Sequence, residues 1–424
     1  MRQIKIFKSI MLFRIYKIFA YLIYPFVPIY LNDRIRSNKE LKDRIDERYG
    51  ISTIDRKKGE LIWIHAASIG ESLSVLPVIK ELEKNKKIKQ ILVTTGTTTS
   101  AKIMKNKLKG KAFHQFIPID IPILVERFLD HWKPSLSIFV ESEIWPNFIF
   151  ALKNRNIKSM ILNGRMTVKS YNSWSRFKKT ALTLFENFDL CCTQSKDSTF
   201  FYKNLGIKNT TYTGNLKFAS IPPAVDNKKL QILKKMFKGR KILLAASTHE
   251  GEEEIIANIT LSLKKKYKNF VSIIVPRHPN RSEFFSNKQK LKIAYRSKDQ
   301  DISPNTSIYI ADTIGELNLF YELANFIFVG GSLVNHGGQN PIEAAFLGKP
   351  IIHGPNIMNF ADVYEILGHM KLTYPINNER QLKMHIDDKY KGSNNSVSAS
   401  GSSRIKKEGK QALKNSIQAI NQLL

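Results

Sequence analysis

Val329-Gly330-Gly331-Ser332, followed by Gly337-Gly338-Gln339-Asn340-Pro341-Ile342-Glu343, reads as a buried strand, a glycine loop and a helix start. Paired glycines let backbone amides come close to an anion, and the first turn of a helix offers unpaired N–H donors with a partial positive charge. Glu343, about one turn further on, is placed to accept hydrogen bonds from ribose hydroxyls. A plain glycine turn between a core strand and a helix is the structural alternative. The surroundings of the stretch decide between them.

From residue 60 onward, short apolar runs alternate with helical patterns, as in βα units feeding a mostly parallel sheet. Strands are expected at Leu61–Ala66, Gln90–Thr95, Gln115–Pro118, Leu136–Val140, Ser159–Leu162, Leu190–Thr193 and Thr211–Thr213. Ala219-Ser220-Ile221-Pro222-Pro223 then reads as a proline hinge. A second series follows at Ile242–Ala246, Val271–Val275, Ser307–Ile310, Phe326–Val329 and Pro350–Ile352. The expectation is an α/β chain of two parallel-sheet domains, residues 32–220 and 221–391. Ligands of such sheets bind at the carboxyl ends of strands, so a cleft between the halves is the expected active site. Gly392 to Ser403 reads as a linker and Arg404 to Leu424 as a helix, together a terminal segment of residues 392–424.

A length of 424 residues suits two domains with full cores. The net charge of +31 calls for an anionic partner, unless a general drift toward lysine explains it. Two adjacent cysteines, Cys191 and Cys192, point to a reducing compartment and no zinc site. Residues 1–31 combine Arg2, Lys5, Lys8, Arg14 and Lys17 with a dense apolar set ending in Ile18-Phe19-Ala20-Tyr21-Leu22-Ile23-Tyr24. This reads as a membrane-anchor segment. Its uninterrupted apolar run is shorter than the roughly 20 residues a spanning helix needs, and Pro25 and Pro28 break its continuation. An element lying in the inner leaflet, held on the anionic cytoplasmic face by its basic residues, is expected, rather than a cleaved signal peptide.

Several loops at strand ends carry chemistry. In His65-Ala66-Ala67-Ser68-Ile69-Gly70-Glu71, Glu71 would be held ionised by a helix N-terminus, ready to take a proton from an attacking hydroxyl; a first-turn acid that merely stabilises its helix is the alternative. In Val140-Glu141-Ser142-Glu143-Ile144-Trp145-Pro146-Asn147 two carboxylates share one face, suited to steadying positive charge on a sugar ring or binding hydroxyls, or else to capping a helix. Lys217, in Gly214-Asn215-Leu216-Lys217-Phe218, is suited to neutralising a leaving phosphate or a substrate carboxylate, with a solvated lysine as the alternative. Arg277 is a natural bidentate partner for a phosphate, whereas His278 reads as structural; Ile314-Gly315-Glu316 offers amides at a helix start.

Taken in order, the segments Ser68–Ser72 (SIGES), Glu141–Asn147 (ESEIWPN), Asn163–Thr167 (NGRMT), Gly214–Phe218 (GNLKF), Ser247–Glu253 (STHEGEE), Pro276–Arg281 (PRHPNR), Asp312–Leu317 (DTIGEL) and Gly330–Glu343 (GGSLVNHGGQNPIE) resemble the 3-deoxy-D-manno-octulosonic acid (Kdo) transferases, glycosyltransferase family 30. The resemblance runs from the basic N-terminus to about Phe360. It implies a GT-B fold of two facing Rossmann-like domains, an acceptor-binding one and then a CMP-sugar-binding one, on the cytoplasmic face of the cell inner membrane. It implies transfer of Kdo from CMP-Kdo to a lipid A precursor, lipid IVA. It makes Glu71 the general base, with Glu141 and Lys217 assisting the transition state. Pro276, Arg277, Ile314, Gly315, Glu316, Asn340, Pro341, Ile342 and Glu343 would hold the CMP moiety. One departure is Gln339, where the family usually has histidine; glutamine keeps a donor and an acceptor but carries no charge. A second concerns Thr97-Thr98-Thr99-Ser100, where the family often has threonine and proline; those hydroxyls suit an acceptor group or simply cap the next helix.

Direct displacement by the acceptor hydroxyl inverts the anomeric centre, and neither metal nor cofactor is required. Asp299-Gln300-Asp301 reads as a surface loop. No G-x-G-x-x-G or P-loop lysine pattern is present, against a dehydrogenase or an NTPase. The rivals are another GT-B nucleotide-sugar transferase or epimerase, and a basic membrane-surface protein. Nucleic acid is not expected as a partner, because the aromatics fall in core-like runs rather than among the lysines.

Overall fold

Leu61-Ile62-Trp63-Ile64 has no exposed surface, as expected of a central parallel strand covered on both faces. Around it the computed structural model builds a seven-stranded sheet from β1 (Glu60–His65), β2 (Ile88–Thr95), β3 (Ala112–Phe116), β4 (Leu136–Val140), β5 (Lys158–Gly164), β6 (Leu190–Thr193) and β7 (Thr210–Tyr212), in the order β3-β2-β1-β4-β5-β6-β7. All its ladders are parallel. The structure describes residues 2–220, 225–279, 281, 291–391 and 399–424, and for residues 2–10, 391, 399 and 400 the backbone alone.

Strand alternation sends Leu61 and Trp63 to one face of this sheet and Ile62 and Ile64 to the other. Trp63 packs on Phe128, Phe139 and Phe148 at ring-centre distances of 4.9, 5.3 and 5.2 Å. The opposite face is covered by Val75, Val78 and Ile79 of the helix Ile69–Glu83 and, from the far end of the chain, by Ala419 and Ile420.

The second sheet comprises β8 (Lys241–Thr248), β9 (Phe270–Pro276), β10 (Ile293–Tyr295), β11 (Ile308–Ile310), β12 (Phe326–Val329), β13 (Ile351–His353) and β14 (Thr373–Pro375). Its order is β10-β11-β9-β8-β12-β13-β14, again parallel throughout. In each sheet the order reverses beside the first strand, between β1 and β4 and between β8 and β12. Such switch points open a crevice at the carboxyl ends of the strands.

The chain divides into two compact units, Met1–Ser220 with Glu408–Leu424, and Ile221–Lys407. The terminal helix, Ala399–Asn421, starts before Arg404; residues 392–398 of the serine-rich stretch, like Ile221–Pro223 of the proline hinge, lie outside the described residues. Glu408–Leu424 joins the first unit through a close contact. A Cβ on Gly409 would lie 1.9 Å from the Phe218 carbonyl oxygen, so only glycine lets the helix backbone approach this near. The Asn415 side-chain amide donates to the Thr213 carbonyl at 3.2 Å.

Three strand expectations need correction. β10 and β14, three-residue strands at the sheet edges, were not among the expected strands. β3 ends at Phe116 rather than running to Pro118, which has no N–H for a ladder. The prolines near the N-terminus interrupt the helix less than expected. Arg2–Ile23 passes through a 3-10 turn at Tyr24–Phe26 into a second helix, Val27–Arg36, and each proline sits in a first turn where its missing N–H costs nothing. Met11–Arg36 is long and apolar enough to cross a membrane. Ala20, Val27 and Leu31 pack on Ile121 and Leu124, while Leu12, Ile15, Ile18, Phe19, Leu22 and Phe26 are exposed.

Candidate functional site

At the carboxyl end of β1 the chain enters the helix Ile69–Glu83 through a capping box. The Ser68 hydroxyl accepts from the Glu71 amide at 3.3 Å, and the Glu71 carboxylate accepts from the Ala67 amide at 2.9 Å and the Ser68 hydroxyl at 2.7 Å. Glu71 thus caps its helix, and its environment shifts its carboxyl opposite to the effect of a helix N-terminus. Burial pushes its carboxyl above the usual range, with the charges of Glu141 and Glu143 adding to the rise, against the lowering by Ser68 and the Ala67 amide. Two lone pairs remain on its oxygens for a further proton.

At the end of β4, Glu141 adopts a left-handed backbone, φ 58°, a conformation that costs a non-glycine residue about 1–2 kcal/mol. Its carboxylate meets the Lys217 ammonium at 2.8 Å, both side chains nearly buried. Lys217 is presented by a short 3-10 turn, Leu216–Ala219. Asn215 caps that turn by accepting from the Lys217 amide, and Asn163, itself left-handed, accepts from the Leu216 amide at 2.9 Å. Asn163 and Gly214–Phe218 are therefore one device for aiming Lys217.

Glu143 lies on the same turn. Burial opposes its charge, but His65 and Trp145 outweigh it and hold the carboxyl below its ordinary value. The distances are 3.3 Å to His65 Nε2 and 2.8 Å to Trp145 Nε1. The sequence reading passed over His65 as a partner; a histidine ending a buried strand beside an acidic strand end was the available signal. Thr97 accepts from the Ser100 amide and caps the helix Thr98–Lys107, the plainer of the two roles open to that loop.

In the second unit, β8 ends in a bulge at Ser247, left-handed at φ 56°, that turns His249 and Glu252 toward the end of β12. Glu252 has no exposed surface, and its carboxylate accepts from the amides of His249, Gly331, Ser332 and Leu333. The glycine-loop amides expected to cradle a ligand phosphate are thus already occupied by a protein carboxylate. The Gln339 side-chain amide contacts His249 Nε2 at 3.0 Å. Burial, reinforced by His336, His278, Arg277 and Arg281, pushes the His249 imidazole down to about 4, so it is neutral at pH 7.

Pro276 closes β9, and Arg277 hydrogen-bonds through its backbone amide to the Thr248 carbonyl at 3.0 Å while its side chain is exposed. Ile314 is 87% exposed, and Gly315 turns with φ 84°. Glu316 is fully engaged: Arg296, then Lys229 and Thr313, hold its carboxyl down to about 2 against burial. Asn340 accepts from the Ile342 amide and so starts the helix Ile342–Phe346 after Pro341. Glu343 differs from Glu316. Burial raises its carboxyl, and it has no hydrogen bond or ion pair among the described residues. Glu71, Glu141 and Lys217 fall in the first unit, and the nine other candidates in the second.

Residues 43–220 match the family model for 3-deoxy-D-manno-octulosonic-acid transferase (kdotransferase). The 3-deoxy-D-manno-octulosonic acid transferase of Rickettsia bellii is 35% identical over 398 residues, 89% of this chain and 94% of that one. That of Haemophilus influenzae is 33% identical over 343 residues, 79% of this chain and 80% of its own. Among solved structures, the UDP-GlcNAc 2-epimerase of Neisseria meningitidis is 14% identical and superposes with a TM-score of 0.58 over 86% of this chain and 99% of that one, a likeness of fold alone that places the chain in the GT-B class. On its sequence relatives, the chain belongs to the 3-deoxy-D-manno-octulosonic acid transferases and is a glycosyltransferase.

Proposed function

We propose that the protein transfers Kdo from CMP-Kdo to a lipid A precursor, lipid IVA, with inversion and without a metal, at the cytoplasmic face of the inner membrane. The observation that carries this reading is the group at the β1 and β4 strand ends: a proton acceptor raised by burial beside a carboxylate–ammonium pair held on a strained backbone. The acceptor hydroxyl oxygen attacks the anomeric carbon as the bond from that carbon to the CMP phosphate oxygen breaks. The hydroxyl proton passes to Glu71, whose raised pKa brings it closer to the operating pH, as a general base requires. Lys217 supplies positive charge where anionic groups of donor and leaving group gather, and Glu141 fixes its position.

In the second unit, Arg277 and the amides at Ile314–Glu316 serve the phosphate, and Pro276 borders the nucleotide. Glu316 cannot bind ribose, because Arg296, Lys229 and Thr313 saturate it. Glu343 accepts the ribose hydroxyls instead, with Asn340, Pro341 and Ile342 shaping the helix start that presents it. The experiment incubates purified protein with CMP-Kdo and a tetra-acylated lipid A precursor in the presence of EDTA, following CMP release and product mass. Transfer is expected, and its absence where a known Kdo transferase is active sinks the reading. Glu343→Ala is expected to raise KM for CMP-Kdo about 10- to 100-fold, the loss of one or two charge-assisted hydrogen bonds, and Glu316→Ala to unsettle its own loop first.

The exposed apolar side of the N-terminal helices, with Arg14 and Lys17 beside it, supports docking on the anionic inner leaflet. Ile18 and Phe19 are 58% and 60% exposed. The double variant Ile18→Asp/Phe19→Asp should therefore leave the melting temperature unchanged and lower binding to anionic phospholipid vesicles at least about 100-fold, on about 2 kcal/mol per bulky side chain. Unchanged vesicle sedimentation removes these helices as the docking element.

A further inference from the structure

We propose that Glu252 is a positioning residue: a resident counter-anion that holds the Gly330–Leu333 loop folded back and thereby sets Gln339 against His249. Its two oxygens accept four backbone N–H groups, His249 at 2.9 Å and Gly331 at 2.7 Å on Oε2, Ser332 and Leu333 at 3.0 Å each on Oε1. A wholly buried carboxylate is costly to keep unless its lone pairs are filled, and the described residues form no salt bridge to it within 4 Å. The amides that converge on it supply the compensation, as they would for a bound anion.

The loop is built to accept this group. A Cβ on Gly330 would lie 2.6 Å from the Ser247 carbonyl oxygen and 2.8 Å from Glu252 Oε2, so only glycine leaves room there for both the end of β8 and the carboxylate. Gly331 turns left-handed at φ 66°, and its carbonyl accepts from the Gly338 amide at 2.7 Å while that of Gly330 accepts from the Gln339 amide at 3.1 Å. The Tyr364 hydroxyl ties down the Gln339 carbonyl at 3.1 Å. The far side of the loop is pinned by Ser332, whose hydroxyl donates to the Val329 carbonyl and accepts from the Gly354 amide. With its backbone fixed on both sides, Gln339 places its side-chain amide 3.0 Å from His249 Nε2. The amide donates there, which fixes the imidazole in its neutral form with the proton on Nδ1. That arrangement accords with the depressed pKa of His249.

The functional weight of this clamp rests on the reading of the second unit as the donor-binding half. On that reading the donor phosphate is not held by the Gly330–Leu333 amides, which have a permanent occupant, and the loop instead orients side chains. Glu252→Ala leaves a carboxylate-sized hole lined by four N–H groups, which a small anion can refill. The test measures CMP affinity by calorimetry, and amide hydrogen exchange in the peptide spanning Val329–Gly338, with formate or with neutral formamide at equal concentration. Expected are an about 10-fold or greater loss of CMP affinity, faster exchange in the loop, and recovery of both with formate but not formamide. Glu252→Gln, which keeps the shape and turns an NH2 toward the amides, should raise KM for CMP-Kdo more than it lowers kcat. The proposal is overturned if exchange is unchanged in both variants, if formate and formamide act alike, or if Glu252→Ala binds CMP more tightly through the freed amides. Failure of the wild-type protein to bind CMP overturns the donor reading instead, and the exchange measurements still decide the clamp.

Discussion

Glu71→Gln is expected to lower kcat for Kdo transfer by about 10²- to 10⁴-fold, the range spanned by loss of a positioned general base, while CMP binding stays at the wild-type level. The substitution keeps the shape of the capping box but leaves an amide where the proton must go. Ser68 continues to accept from the backbone amide of residue 71, so the helix Ile69–Glu83 keeps one of its two capping interactions. The pH profile adds a second readout. Because burial raises the Glu71 carboxyl above 4.5, the acidic limb of the wild-type profile should lie above that value, and activity should fall as pH drops through it. Rate, affinity and pH limb are measured on the same preparation. Equal activity of Glu71→Gln and wild type removes Glu71 as the base and leaves it a helix cap.

The second large effect is expected at the ion pair. Lys217→Ala leaves Glu141 nearly buried with its cation gone, and breaking such a pair from one side costs about 3–5 kcal/mol of stability. Transfer should fall at least about 100-fold, as for removal of one electrostatic donor to a transition state. The double variant Glu141→Ala/Lys217→Ala should be more stable than Lys217→Ala alone, because no charge is stranded, yet equally inactive. Denaturant unfolding of the four proteins in the cycle gives the coupling directly, expected at about 1–3 kcal/mol. Additive losses would mean that the two side chains do not sense each other. A stabilised double variant that still transfers Kdo would mean that the pair serves folding only.

Much of the architecture was legible because the central strands are continuous apolar runs. Leu61–Ile64 and Phe326–Val329 can be placed in a core from composition alone. β10 and β14 escaped that reading because a three-residue strand at a sheet edge is too short for its pattern to stand out, although Ile293 and Tyr295 of β10 do pack on the core. The same division holds for the candidate sites. Glu71 and Glu141 announce themselves by standing at strand ends. The pairing of His65 with Glu143 spans 78 positions and depends on β1 lying beside β4, which no local pattern states. Glu252 was hidden for a different reason. In a run of three acids at a helix start, each looks like a dipole-stabilising surface group, and only the convergence of two strand ends reveals that one of them is enclosed. The amides after Gly330, expected at a ligand phosphate, instead meet the carboxylate of Glu252.

The return of Glu408–Leu424 to the first unit sets a timetable for synthesis. While Ile221–Lys407 is being made, on the order of ten seconds or more at ribosomal speed, the first sheet lacks Ala419 and Ile420 on one face, and the turn bearing Lys217 lacks Gly409 against its backbone. A nascent chain at that stage therefore carries an open apolar face and an unsupported turn at Lys217, a state suited to recognition by chaperones and proteases. The segment Glu408–Leu424 thus makes the first unit wait for the second: it becomes whole only in molecules whose Ile221–Lys407 has already been translated.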